Sequence, residues 1–162
     1  SEYADLQVTV RSNNQEVRDQ LIASIERVAV GIGKAHGLPD DKLPIVKVTE
    51  STPVTVNDAA LARRLNAAIG DALGKDVVVP FRQTNMGAED FAFFVDPSFG
   101  IPGYYFGVGG TNPEWIKAAK NGGPPVAGHH SPLFKIDPEP SVRLGVEAMT
   151  AAVLDLLKPA QN

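Results

Sequence analysis

Cysteine is absent from the 162 residues, so no disulfide and no thiolate ligand can form. Any metal must therefore be held by nitrogen and oxygen donors. The same absence leaves the redox compartment open, and nothing else in the chain separates cytoplasm from periplasm. Long apolar runs are missing too. None approaches the ~20 residues that a membrane-spanning helix needs, so no membrane partner is expected. No basic cluster stands out: 15 Lys and Arg face 19 Asp and Glu, for a net charge of −4. That balance gives no footprint for a nucleic-acid partner. No leader is visible, because the chain opens on a polar stretch and a strand-like pattern. A Gly-x-Ser-x-Gly elbow is lacking, which removes that type of serine nucleophile. Gly107-Val108-Gly109-Gly110 lacks the lysine and serine of a phosphate-cradling loop. What is present is 43% hydrophobic and 21% charged, an ordinary mixture that can bury one good core or two small ones.

Periodicity predicts strands alternating with helices, which argues for an α/β fold. Leu6, Val8 and Val10 alternate with Gln7, Thr9 and Arg11, the pattern of a half-buried strand. Asn13 or Asn14 can cap a helix that carries Val17, Leu21, Ile25, Val28 and Ile32 and stops at Gly37. Pro44–Thr49 reads as a second strand. Two strands are marginal in water, so this first third requires strands from elsewhere. Asn57 or Asp58 can cap the next helix, with Leu61, Leu65, Ala68, Ile69 and Leu73 on one face and Gly74 at its end. Val77–Val79 and Tyr104–Val108 read as short buried strands. Thr84–Phe94 reads as a loop or short helix, Pro113–Lys120 as a helix, and 121–128 as a loop. A last helix, starting near Pro140, shows Val142, Val146, Met149, Val153 and Leu156 on one face.

Few residues could carry chemistry. His129 and His130 are adjacent, so on an extended backbone they face opposite ways and cannot share one metal ion. The plain alternative is a surface loop with two ordinary histidines. Glu89 and Asp90 lie between Gly87 and the aromatic group Phe91, Phe93 and Phe94. They could ligate or support a metal, or simply start a helix, where acidic groups suit the backbone dipole. Arg11, at the end of the first strand-like run, could grip a carboxylate with two parallel hydrogen bonds or stay solvated. His36 suits a helix C-terminus. The three histidines with Glu89 and Asp90 reach the number of ligands that a catalytic zinc takes, but spacing does not show them converging.

Three motifs in order are more telling than any one. Thr55-Val56-Asn57-Asp58, then Asn85-Met86-Gly87-Ala88-Glu89-Asp90-Phe91-Ala92-Phe93-Phe94, then His130-Ser131-Pro132-Leu133-Phe134 resemble the bacterial and plant amidohydrolase family. That family includes hippurate hydrolase, indoleacetyl-amino-acid hydrolase, aminoacylase and carboxypeptidase G relatives. The opening from Leu6 to Gly37 is similar to the second half of its lid domain, and Gly145-Val146-Glu147-Ala148-Met149 to its C-terminal helix. The resemblance implies a partial lid, or dimerisation, domain over residues 1–52 and the C-terminal part of an α/β zinc-peptidase-like catalytic domain over 53–162. It implies two divalent ions in the parent enzyme, zinc first, with manganese, nickel or cobalt as alternatives. It further implies a small amide substrate and a homodimer formed through the lid. Residue by residue, it makes His130 a metal ligand, leaves His129 non-ligating, and gives Arg11 and Gly87 to substrate binding. Glu89 and Asp90 become structural supports.

The departure from the family pattern is large. Its general-base glutamate and other ligands come from an N-terminal half that is not in this sequence. The expectation is a metal-dependent amidohydrolase fragment, inactive and metal-poor alone, whose parent cleaves N-acyl amino acids or related amides. Its rivals are a non-catalytic dimerisation module derived from such an enzyme, and an unrelated small α/β domain with incidental histidines.

Overall fold

The structure, a computed structural model, describes residues 3–81 and 86–159. Among the described residues five α-helices follow in order: α1 (Gln15–Ala35), α2 (Ala59–Leu73), α3 (Phe91–Phe94), α4 (Pro113–Lys120) and α5 (Pro138–Leu156). The chain divides into two compact units. The first holds residues 1–57 and 81–103, the second 58–80 and 104–162. None of the helices is long and apolar enough to cross a membrane, among the described residues.

The helix ends follow the local chemistry of the sequence. Asn14 caps α1 by accepting from the Val17 amide at 3.1 Å, and Asp58 caps α2 by accepting from the Leu61 amide at 2.7 Å. α1 closes with paired bonds, Gly37 N to Lys34 O at 2.9 Å and Leu38 N to Gly33 O at 3.1 Å. This is the glycine-terminated C-cap, and Gly37 sits at φ 73° where a β-carbon is penalised. The same pairing ends α4: Gly122, at φ 89°, donates to Ala119 and Gly123 to Ala118.

The α/β expectation is overturned. Among the described residues no strand and no sheet is present, so neither a strand–helix–strand lid nor a sheet-based catalytic half is seen. The four strand-like runs meet different fates. Leu6 is 83% exposed and Val8 and Ile45 are also exposed, in backbone without a ladder. Val77 closes a 3-10 turn, and Val79 is exposed. Tyr104 and Phe106 turn inward and stack, ring centroids 5.4 Å apart, while Tyr105 and Val108 stay largely exposed. The physical reason is that a strand is stabilised by its neighbours, through ladder hydrogen bonds and cross-strand packing. Alternation in sequence cannot supply those neighbours.

In the first unit, α1 buries only Gly33 fully. A β-carbon there would stand 2.9 Å from Pro44 Cδ and 3.1 Å from Leu43 Cδ2, so glycine is what lets the 38–44 segment close over the helix. The second unit has the clearer core. Leu65 and Ile69 of α2 meet Ala148 and Ala152 of α5, and Leu61, Leu73, Val77, Val78, Tyr104, Phe106 and Ala151 pack around them. Arg64 ties the two helices together. Its Nε donates to Asp155 Oδ2 at 2.6 Å and its Nη2 to the Asp155 carbonyl at 2.7 Å, which satisfies one of the open carbonyls of the last turn.

Candidate functional site

Arg11 follows the exposed Leu6–Thr9 run and the half-buried Val10, and its guanidinium Nη1 donates to the carbonyl oxygen of Met86 at 2.8 Å. Both belong to the first unit. The bond holds Arg11 beside the start of the Met86–Asp90 loop, at the residue before Gly87. Gly87 is exposed, as are Glu89 and Asp90. The two acidic residues open α3: the Glu89 carbonyl accepts from Ala92 N at 3.1 Å and the Asp90 carbonyl from Phe93 N at 3.0 Å. Asp90 is the N-cap residue, without a side-chain capping bond. Thr84 and Asn85, which belong to the loop and motif read from the sequence, lie outside the described residues. His36 is the C-cap residue of α1, donating from its backbone N–H to Ile32 O.

His129 and His130 belong to the second unit and are both exposed. They form the middle of a turn in which Ser131 N donates to Gly128 O at 3.3 Å. Phe134 N then donates to Ser131 O at 3.0 Å, and Leu133 N to Ser131 Oγ at 3.2 Å. The two imidazoles have different surroundings. The His129 ring lies against Phe134, centroids 4.7 Å apart and tilted by 33°. His130 has φ 66° and is the sole non-glycine residue with positive φ among the described residues. That left-handed conformation costs an L-residue about 1–2 kcal/mol. Strain of this kind persists only where the surrounding structure over-determines it.

The loop that carries the histidines is pinned at its far end by residues that the sequence reading did not single out. Asn112 uses both ends of its amide: Oδ1 accepts from Glu114 N at 2.8 Å, capping α4, and Nδ2 donates to Asp137 Oδ2 at 2.6 Å. Asp137 N donates to Gly110 O at 2.8 Å, and the Ser141 hydroxyl donates to the Asp137 carbonyl at 2.6 Å. Lys135 places its ammonium 4.2 Å from the centre of the Trp115 ring. A signal was available, since Asn112-Pro113 and Asp137-Pro138 both have the form of a cap residue followed by an N1 proline.

Burial raises the Tyr104 phenol above its ordinary pKa, and its hydroxyl donates to Asn66 Oδ1 at 2.5 Å. Hydrogen bonds from Lys158 and then Arg64 hold the Asp155 carboxyl below its usual range. Both groups serve the α2–α5 packing. A shallow cavity of about 230 Å³ in the same unit is lined by Asn66, Ala67, Gly70, Asp71, Lys75 and Val78.

The donor set does not amount to a metal centre. Among the described residues no three His, Asp or Glu side chains gather as a metal-holding group. His130 can offer one imidazole, and a catalytic zinc takes about three protein ligands.

Comparison with known proteins adds what this geometry cannot. Residues 17–155 match the model of peptidase family M20/M25/M40. The chain is 28% identical over 142 residues to the "uncharacterized hydrolase y4tI" of Sinorhizobium fredii, a match that covers 86% of this chain and 31% of that protein. It is 30% identical over 101 residues to the "probable hydrolase sll0100" of Synechocystis sp., covering 62% of this chain and 24% of that protein. The chain thus spans less than a third of the curated relatives it matches. No solved structure matches it.

Proposed function

This chain belongs to peptidase family M20/M25/M40, and from that premise we propose that it is part of a hydrolase that cleaves the amide bond of N-acyl amino acids or related small amides. The match over residues 17–155 supports the reading, because that range contains most of α1, the Met86–Asp90 loop and the histidine loop, while Arg11 precedes it. The family generally uses divalent metals. In this reading His130 supplies one ligand, and the other ligands and the general base come from polypeptide outside the matched stretch. One imidazole does not fit a metal ion by itself, so the chain alone is inactive.

Arg11 and Gly87 are the proposed substrate-binding residues. The guanidinium has five N–H donors, so the bond to Met86 leaves others for a substrate carboxylate. Gly87 presents backbone without a side chain beside it. Residues 1–52 act as part of a lid through which two copies pair, a role favoured by the exposed Val17, Leu21, Val28 and Ile32 of α1.

Assay of the full-length polypeptide tests the reading. Hippurate-like amides should be hydrolysed, activity should be lost on chelation, and zinc or manganese should restore it. A full-length protein that binds no metal and cleaves no amide, yet dimerises, belongs instead to a non-catalytic module.

A further inference from the structure

The C-terminal end of α4 holds the one Asn-Gly pair of the chain, Asn121-Gly122. Every other asparagine with a successor precedes a residue that carries a β-carbon. Three of these also engage the side-chain oxygen: Asn14 with Val17 N, Asn66 with the Tyr104 hydroxyl, and Asn112 with Glu114 N. Asn112 moreover precedes Pro113, whose nitrogen has no proton to lose. Asn121, Gly122 and Gly123 are all exposed. Asn121 is the C-cap residue of α4, at φ −94° and ψ 20°, and Gly122 follows at φ 89°. The turn is closed by Gly122 N donating to Ala119 O at 3.2 Å and Gly123 N to Ala118 O at 2.9 Å.

We propose that Asn121 is a site of spontaneous deamidation and isoaspartate formation, gated by the C-cap of α4. The main-chain nitrogen of Gly122 yields its proton to a solvent base and attacks Cγ of Asn121. A C–N bond closes a five-membered imide, and the side-chain nitrogen takes up a proton and leaves as ammonia. Water then opens the ring. Cleavage of the bond to Cγ gives aspartate; cleavage of the bond to the main-chain carbonyl carbon gives isoaspartate, with an added methylene in the backbone. Glycine favours the attack, because no β-carbon crowds the nitrogen and φ of either sign is open to it. The cap opposes the attack in two ways. It holds the Gly122 N–H on the Ala119 carbonyl. At ψ 20° it also keeps that nitrogen more than a quarter-turn from the eclipsed position beside Cβ that ring closure requires. Reaction therefore waits for the last turn to fray, and helix ends lie at the low end of local stability. Neither product restores the cap. Aspartate puts a carboxylate at the negative end of α4, and the isoaspartate methylene breaks the spacing of the two closing bonds. The segment 124–130, with His129 and His130, leaves from this turn.

Warm incubation of the 162-residue chain at mildly alkaline pH, beside a synthetic peptide spanning Lys117–Val126, tests this. Peptide mapping by mass spectrometry with electron-transfer fragmentation reads conversion at each asparagine and separates isoaspartate from aspartate. Asn121 should convert before any other asparagine, and about tenfold more slowly in the folded chain than in the peptide, because two hydrogen bonds hold the turn shut. Gly123→Ala keeps the Asn-Gly pair but sets a β-carbon 2.8 Å from the Ala118 carbonyl oxygen, which forces the cap open. That variant, with circular dichroism showing it folded, should approach the rate of the peptide. The wild-type chain unfolded in urea should match the peptide as well, which gives the same comparison without a substitution. A folded chain no slower than the unfolded one, or Gly123→Ala as slow as wild type, removes the gate. Earlier conversion at another asparagine removes the site, and so does an Asn121 still intact in the folded chain long after a tenfold slowing would have shown it.

Discussion

Arg11 donates from Nη1 to the carbonyl oxygen of Met86 across 2.8 Å, joining two points 75 residues apart in the chain. The bond uses one of five donors and holds the guanidinium plane beside Gly87. It is exposed, so its contribution to stability is small, about 0.5 kcal/mol. Arg11→Ala in the full-length protein should therefore melt almost normally while KM for carboxylate-bearing amides rises about tenfold, near 1.4 kcal/mol. Arg11→Lys should recover little, because an ammonium cannot span both partners. Steady-state kinetics on paired acidic and neutral amides read this out; equal losses for both would remove Arg11 from substrate recognition.

His130 holds φ 66°, a conformation that glycine adopts without penalty. His130→Gly should therefore be more stable than His130→Ala, by about 0.5–1 kcal/mol in thermal or urea melts. Both variants of the full-length protein should lose one metal equivalent by elemental analysis, together with hydrolysis. Full metal content in either variant would end the ligand assignment.

The contact between α2 and α5 is built on alanines, which bring the helix axes close. Ala148→Leu adds three carbons where Leu65 and Ile69 already fill the space, and should cost about 1–3 kcal/mol in the urea midpoint. Leu65→Ala empties the same site and should cost about 2–5 kcal/mol. Val146→Ala, on the open face, should change the isolated chain little.

Asp155 accepts from Lys158 Nζ at 2.9 Å and from Arg64 Nε at 2.6 Å. Its carboxyl is held below the ordinary range, first by Lys158 and then by Arg64, so the folded state binds this proton more weakly than the unfolded chain. The stabilisation is present above about pH 4 and is lost as pH falls through the depressed folded value. Asp155→Asn should flatten the acid limb of a plot of melting temperature against pH. Arg64 is half-exposed, so Arg64→Ala should lower the melting temperature only modestly at neutral pH.

Much of the helical framework could be read directly. Asn14, Asp58, Gly37 and Gly74 mark helix ends because capping depends on residues within one turn. The apolar face of α2 was legible because periodicity and burial agree at its centre, where Leu65 and Ile69 are buried and Leu61 and Leu73 pack around them. The strand-like runs misled. Leu6–Arg11 has the right alternation, but the described residues give it no neighbour to pair with. The histidine loop was located by its glycines and prolines, yet the positive φ of His130 and the Asn112–Asp137 clip were not, since both depend on how distant segments close.

The amino-acid order by itself determined where helices start and stop, that nitrogen and oxygen are the available metal donors, and which family the motifs resemble. Those properties reside in neighbouring residues or in motif sequence, and need no knowledge of what lies across space. Only the tertiary structure decided that α5 turns Ala148 and Ala152 inward and leaves Val146 and Met149 open, and that Arg11 reaches Met86. A helix with two apolar sides buries whichever one its partner fits, and small side chains allowed α2 the closer approach.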